Sequence, residues 1–291
     1  MTSSRSTSSR SAPPRPSRTG SPGRNALIAL LLLWSLGPML WQLYTSLRTP
    51  EALLAGAGGL GRGWTLANYG AVLSGDPPFW RYLLNSTVVG ALSTLLTLVL
   101  AIPCAYALSR RQGLLRLLIG GGLLAAAVFP YVLLFLALLE VARQFGLANN
   151  LLALCLPYAG LSLPLALLLL QAAFAELPVE LEENAVLEGF SLAQRLRWIL
   201  LPLMGPSVVS TGLLVFLFSW NEFPIALTWL SRTDLLTLAP AMARIAGSSV
   251  FTVPYGAFAA ATVLGSVPLL ALLLLFQRQI VAGLTQGAIK G

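Results

Sequence analysis

The sequence predicts an all-α membrane protein with six transmembrane helices. Hydrophobic residues are 56% of the 291 and charged residues only 10%, with a mean hydropathy of +0.79. Ordinary soluble domains carry about 25% charged residues. Six apolar stretches also follow one another, four of them uncharged and the last two carrying one charge each, Glu222 and Arg278, and each is long enough for the roughly 20 residues that a bilayer core requires. Open sheet edges and irregular backbone are not tolerated against lipid, so these stretches are expected to be helices.

Residues 1–24 are Ser, Arg, Pro, Thr and Gly with almost nothing apolar. They cannot bury enough surface to fold, so a disordered basic tail is expected, and 25–291 form one six-span domain. Arg5, Arg10, Arg15, Arg18 and Arg24 either touch anionic lipid or stay solvated and fix orientation. The first span falls at 26–47, with no charge between Arg24 and Arg48. It is longer than the core of a signal peptide and no Ala-x-Ala site closes it, so it is expected to remain uncleaved. The others fall at 83–108, 117–139, 151–174, 203–230 and 257–280. Pro103, Pro130, Pro164 and Pro268 should kink or break them. Trp64, Tyr69, Phe79, Trp80 and Tyr82, in a long connection at 48–82, suit an interfacial aromatic belt or a docking surface for an external protein. No internal repeat is evident.

Arginine placement orients these spans. With the N-terminus inside, the inner side holds Arg5, Arg10, Arg15, Arg18, Arg24, Arg110, Arg111, Arg116, Arg195, Arg197, Arg278 and Lys290. The outer side holds Arg48, Arg62, Arg81, Arg143, Arg232 and Arg244. Twelve against six puts both termini in the cytoplasm. The same topology accounts for the net charge of +8 without nucleic acid.

Absent residue types narrow the chemistry. Without His there is no Ser-His-Asp triad and no His-Glu-x-x-His zinc helix. A Walker A loop needs Lys followed by Ser or Thr, and the one lysine, Lys290, is followed by Gly291. No enzyme activity, metal or cofactor is therefore expected. Cys104 and Cys155 lie in separate apolar stretches and read as buried, inert thiols.

The stretch 178–202 is polar between two apolar spans and full of helix punctuation. Pro178 suits a first helical position, and Glu180, Glu182 and Glu183 favour the positive end of a helix dipole. Gly189 can close that helix in a left-handed conformation. Ser191 and Gln194 form a capping box for a second helix, which carries Arg195 and Arg197 and runs to Leu201-Pro202. Two short helices hinged at Gly189, at the cytoplasmic membrane surface, are expected.

Glu183-Asn184-Ala185, three residues, Gly189, nine residues, then Ile199-x-Leu201-Pro202 resembles the EAA loop of ABC-importer permeases. Asn184, Glu188 and Phe190 depart from the family's usual residues but leave the spacing intact. Trp64-Thr65-Leu66-Ala67-Asn68-Tyr69, the stretches 79–86 and 105–110, Trp220-Asn221-Glu222-Phe223 and the ending Gly283–Gly291 are similar to the carbohydrate, maltose-type branch. The resemblance implies a type I importer permease fold in a bacterial or archaeal cytoplasmic membrane. It also implies a second permease subunit, an ATP-binding subunit dimer, an extracytoplasmic solute-binding protein and a sugar substrate. On this reading Glu182, Glu183, Asn184, Ala185, Leu187, Glu188, Gly189, Ile199, Leu201 and Pro202 couple the spans to the ATPase. Leu181, Ala185 and Leu187 anchor the first helix in a groove of it. The glycine-bearing 283–291 has little reason to be helical and suits contact with the ATPase, or frays.

Trp220, Asn221 and Glu222 are candidate pathway residues. An ionisable group within a span faces a cavity or a partner, so Glu222 either lines the solute path or stabilises packing between permease subunits. Two other functions fit less well: an ABC permease for a polyamine, anion or phosphorylated compound, and an ion-coupled secondary transporter. The spans lack interior Arg or Lys for an anion, and only Glu222 is an intramembrane carboxylate.

Overall fold

The computed structural model describes residues 22–59, 61–247 and 254–286. The basic tail up to residue 21, and 287–291 of the C-terminal stretch, lie outside the described residues. Among the described residues the regular structure is helical, apart from one antiparallel bridge between Arg48 and Trp64.

Helix α1 (Pro22–Ser46) begins inside the stretch assigned to the tail. The chain divides into two compact units between Trp41 and Gln42. In the first unit the helix exposes Leu30, Leu33 and Trp34 and buries nothing, which is the all-round apolar surface of a span.

In the second unit, short helices α2 (Pro50–Leu54) and α3 (Ala67–Leu73) lead to α4 (Phe79–Ser109). Its 31 residues make it about 46 Å long. Next come α5 (Leu114–Val128), α6 (Phe135–Gln144) and α7 (Cys155–Glu176). The loop region holds α8 (Glu180–Leu187), α9 (Leu192–Arg195), a π turn at Leu196–Leu200 and α10 (Leu201–Leu203). Then follow α11 (Gly205–Asn221), α12 (Pro224–Trp229), α13 (Leu238–Ile245) and α14 (Tyr255–Gln286). Helix α14 carries regular structure as far as Gln286, beyond the point at which glycine was expected to end it.

Among the described residues four helical runs are long and apolar enough to cross a membrane, or up to six if each of two bent pairs is one span. The third expected span, 117–139, is two segments bent by 81° at Phe129-Pro130. Pro130 supplies no N–H and holds Phe129 in extended backbone, with ψ 133. Pro103, Pro164 and Pro268 instead lie inside continuous helices, where neighbouring helices stabilise the interrupted ladder. The fifth span ends at Asn221 rather than at 230. Glu222 and Phe223 leave the helix before Pro224 starts α12.

Two buried clusters hold the unit together. One gathers Phe79, Tyr82, Val89, Tyr158, Trp220, Ile225 and Trp229, and the other Ala101, Ala105, Leu170, Phe174, Leu200 and Met204. Small residues let α4 approach its neighbours closely. A Cβ on Gly90 would lie 2.9 Å from the Phe216 ring of α11. Ser93 and Thr97 turn their hydroxyls back to the carbonyls of Val89 and Ser93, so no hydroxyl is left unpaired there.

Packing also divides the expected aromatic belt. Phe79 and Tyr82 are core residues, Tyr69 shares a hydrogen bond with Ser46, and only Trp64 and Trp80 stand exposed. Nor are both thiols buried: Cys104 is exposed on α4 and Cys155 half-buried. The apolar runs that hide a thiol from water in the membrane need not hide it from the subunit's own surface.

The start of α4 is tied to the connection after α12. Asn85 Nδ2 donates to the carbonyls of Asp234 (3.1 Å) and Leu236 (2.9 Å), and Ser86 Oγ accepts from Leu238 N (2.7 Å). At this same end Asn149 Oδ1 accepts from Ser231 N at 2.6 Å. The other end of α4 meets the 178–202 loop.

Candidate functional site

The loop begins where α7 stops at Glu176, and α8 starts at Glu180, two residues later than Pro178 was expected to open it. Leu181 N donates to the Pro178 carbonyl at 3.4 Å, so proline stands just outside the first turn. At the far end of α8, Gly189 has φ +82. Its N–H donates to the Val186 carbonyl and that of Phe190 to the Ala185 carbonyl, both at 3.0 Å. These are the paired bonds of a Schellman ending, which require the left-handed residue glycine supplies. The Ser191–Gln194 capping box then opens α9, with Ser191 N donating to Gln194 Oε1 at 2.8 Å.

From α9 the helix continues through the π turn into α10. Pro202 cannot donate to a carbonyl one turn earlier, and its ring crowds that carbonyl, so the preceding turn widens. The run Leu192–Leu203 then meets α11 at 83°. Leu200 and Met204 are buried in the second core cluster, with Leu196 packed against it. Ile199 and Leu201 are half-buried and Pro202 exposed. The second helix of the loop is thus seated in the span bundle.

Helix α8 is two-faced. Glu182 and Ala185, three residues apart, are buried, whereas Glu180, Glu183, Asn184, Val186 and Glu188 are exposed and Leu187 is 85% exposed. Ala185 at 2% exposure therefore cannot anchor the helix in a partner's groove; helical periodicity turns it inward with Glu182. Leu181, Val186 and Leu187 form the outward apolar set. Glu182 is held by Arg110, whose Nε donates to Oε1 at 2.7 Å and whose second guanidinium nitrogen also donates to Oε1. Tyr106 Oη donates to Oε2 at 2.6 Å. Neither partner was visible in the sequence, where 105–110 stood out only as part of a family-like stretch.

The three candidate pathway residues are separated by the helix break. Trp220 is buried and stacked on Phe216, with ring centroids 5.6 Å apart and planes at 29°. Asn221 is exposed, its side chain donating to the Leu217 carbonyl at 2.8 Å. Glu222 is 2% exposed and fully used within this subunit. It accepts from Ile225 N at 2.8 Å, Ala226 N at 3.0 Å and Tyr158 Oη at 2.6 Å. The carboxylate satisfies donors at the start of α12, where the helix break frees them. Beside the break between Phe129 and Pro130, a cavity of about 660 Å³ opens between α5, α7 and α11, lined by Phe129, Tyr131, Ser162 and Phe218 among others.

No group of His, Cys, Asp and Glu able to hold a metal occurs among the described residues. Residues 97–286 match the family described as the binding-protein-dependent transport system inner membrane component. The chain belongs to this family. It is a multi-pass membrane permease of binding-protein-dependent transport, and the match takes in the whole hinged loop and both bent regions. The permease is 37% identical over 274 residues to the sulfoquinovosyl glycerol transport system permease protein of Agrobacterium fabrum, covering 94% of this chain and 95% of that one. It is 35% identical over 265 residues to the trehalose transport system permease protein of Mycobacterium tuberculosis, with 91% and 96% covered. With the trehalose/maltose transport system permease protein of Thermococcus litoralis it shares 37% identity over 267 residues, with 91% and 94% covered. Its fold is similar to that of a chain in the crystal structure of a bacterial ABC transporter involved in import of the acidic polysaccharide alginate. The TM-score is 0.76 at 19% identity, covering 91% of this permease and 99% of that chain.

Proposed function

We propose that the permease is one of two pathway-forming subunits in an ATP-driven carbohydrate importer. A dimeric ATP-binding partner docks on α8 from the cytoplasm, and an extracytoplasmic binding protein delivers the sugar. The observation that carries this reading is the hinged loop. A capped helix with an exposed Leu187 projects from the bundle, and Gly189 joins it to a second helix seated in the core. Such a helix suits a groove on another protein. Supporting the sugar class are the three relatives, whose names specify sulfoquinovosyl glycerol, trehalose, and trehalose or maltose transport.

Arginine placement supports both termini lying in the cytoplasm, on the side of the loop. In this assembly Glu183, Asn184, Leu187 and Glu188 contact the ATPase, Gly189 sets the angle, and Ile199, Leu201 and Pro202 seat the second helix. Glu182 and Ala185 act from the inner face. Asn221, the exposed member of its trio, faces the path, while Trp220 and Glu222 build the wall behind it. ATP-driven closure of the partner then shifts the spans between inward- and outward-facing states, which it favours differentially.

Co-expression with its genomic neighbours, followed by an ATPase assay with candidate sugars and binding protein, tests the proposal. Hydrolysis by the purified complex should rise with one sugar. A stable permease that recruits no ATPase would contradict it.

A further inference from the structure

The Glu182 carboxylate sits at 7% exposure on a helix whose other glutamates face outward, and it spans to a different helix. Its partners, Arg110 and Tyr106, belong to the far end of α4, 72 and 76 residues earlier. Behind them Tyr106 packs edge-on against Phe174 of α7, with centroids 5.6 Å apart at 73°, and Phe174 is wholly buried. Helix α7 is itself the chain that leads into α8. So α8 is held at two points, by the backbone from α7 and by the Glu182 side chain from α4.

From this geometry we infer that Glu182, Arg110 and Tyr106 form an internal latch that fixes α8 to the α4–α7 pair, so that a push on α8 moves those spans as one body. Glu182 is on this view a positioning residue for coupling and not a contact to the ATPase. The inference rests on the proposed docking of an ATPase at α8.

Each charge suits its own helix end as well as its partner: Arg110 caps the C-terminus of α4, and Glu182 lies in the first turn of α8. Both side chains are largely removed from solvent, at 22% and 8% exposure. Attraction there is less screened than on the surface, and removing one partner leaves an uncompensated charge. A two-point contact also has a mechanical consequence. With α7 alone, α8 could swing about the extended backbone at Leu177, which has ψ 131. The ion pair closes that degree of freedom.

The test uses the complete transporter in proteoliposomes, reading sugar uptake per ATP hydrolysed together with the ATPase content of the purified complex. Glu182→Gln should lower uptake per ATP about tenfold while the ATPase remains bound, in the range of measured coupling changes. The charge swap Arg110→Glu with Glu182→Arg should recover much of that loss. As a second arm, Arg110→Cys with Glu182→Cys, in a background with Cys104 and Cys155 changed to Ser, is joined by a short bis-maleimide. Cross-linking should raise uptake per ATP above that of the unlinked protein.

A wild-type ratio in Glu182→Gln would overturn the latch while leaving the proposed function standing. Loss of the ATPase from that variant would also overturn it, by assigning Glu182 to assembly. A cross-linked protein no better coupled than the unlinked one would do the same. A wild-type complex that recruits no ATPase would overturn both.

Discussion

At Gly189 the surrounding space is open, with nothing within 4 Å of where a Cβ would stand, yet φ is +82. The restriction is therefore one of backbone and not of volume. An L-residue pays roughly 1–2 kcal/mol in the left-handed region, and asparagine least among them. Gly189→Asn should retain much of the uptake and Gly189→Val little, with equal amounts of either inserted in the membrane; equal uptake by both would contradict the hinge. Glu222 presents the opposite case, since its neighbours depend on the side chain. Glu222→Ala orphans three buried donors and should cost about 2–4 kcal/mol, against about 1 for Tyr158→Phe, which removes one. Thermal unfolding of the detergent-solubilised permease reads the order of the two. The sequence made Glu222 conspicuous but left its role open, because Tyr158 is 64 residues away and nothing local announces it. On the connection after α12, hydrogen bonds from Arg232, and to a smaller extent the charge of Arg81, hold the Asp234 carboxyl below its usual range. A depressed carboxylate contributes stability above its unfolded pKa of about 3.9 and loses it as pH falls through the lower folded value. Amide exchange in 231–236 should thus show no added opening between about pH 5 and 7 beyond the intrinsic rate change.

Helix α8 shows what periodicity can and cannot tell. Its end was legible because Gly189, and the Ser191 and Gln194 box after it, are local punctuation with a single stereochemical meaning. Its inner and outer faces were not, since Leu181, Ala185 and Leu187 are all apolar and only the position of α4 decides between them. Leu187→Asp should cut ATPase co-purification by about tenfold or more, as loss of an exposed apolar anchor does, whereas Ala185→Ser should act through the permease's own packing. Binding of purified ATPase to the detergent-solubilised variants separates the two effects. The third and fifth spans make the same point on a larger scale. Pro130 and Pro224 both stand at helix breaks, the first just after α5 and the second at the start of α12, while Pro103, Pro164 and Pro268 lie inside continuous helices. A proline's consequence is set by the helices packed beside it, which a single sequence does not contain.

For the molecule as a whole, the helical membrane class came from composition and apolar length, and those rest on the bilayer rather than on any one contact. The close packing of α4 with α11 rests on Gly90 and Gly212, more than 100 positions apart, and no local pattern links them. Orientation is a property of this scale too. Ser191→Cys should react with an impermeant maleimide only from the cytoplasmic side and Ser74→Cys only from outside; the reverse pattern would invert the arginine argument. On the proposed function, the hinged loop joins this permease to a separate ATPase that drives carbohydrate import. The most direct measurement is ATP hydrolysis and sugar uptake by the reconstituted complex, with binding protein, in wild type and Gly189→Val. Sugar-stimulated hydrolysis with uptake is expected in wild type, and hydrolysis without uptake in the variant. Uptake that ignores ATP and follows an ion gradient would contradict it.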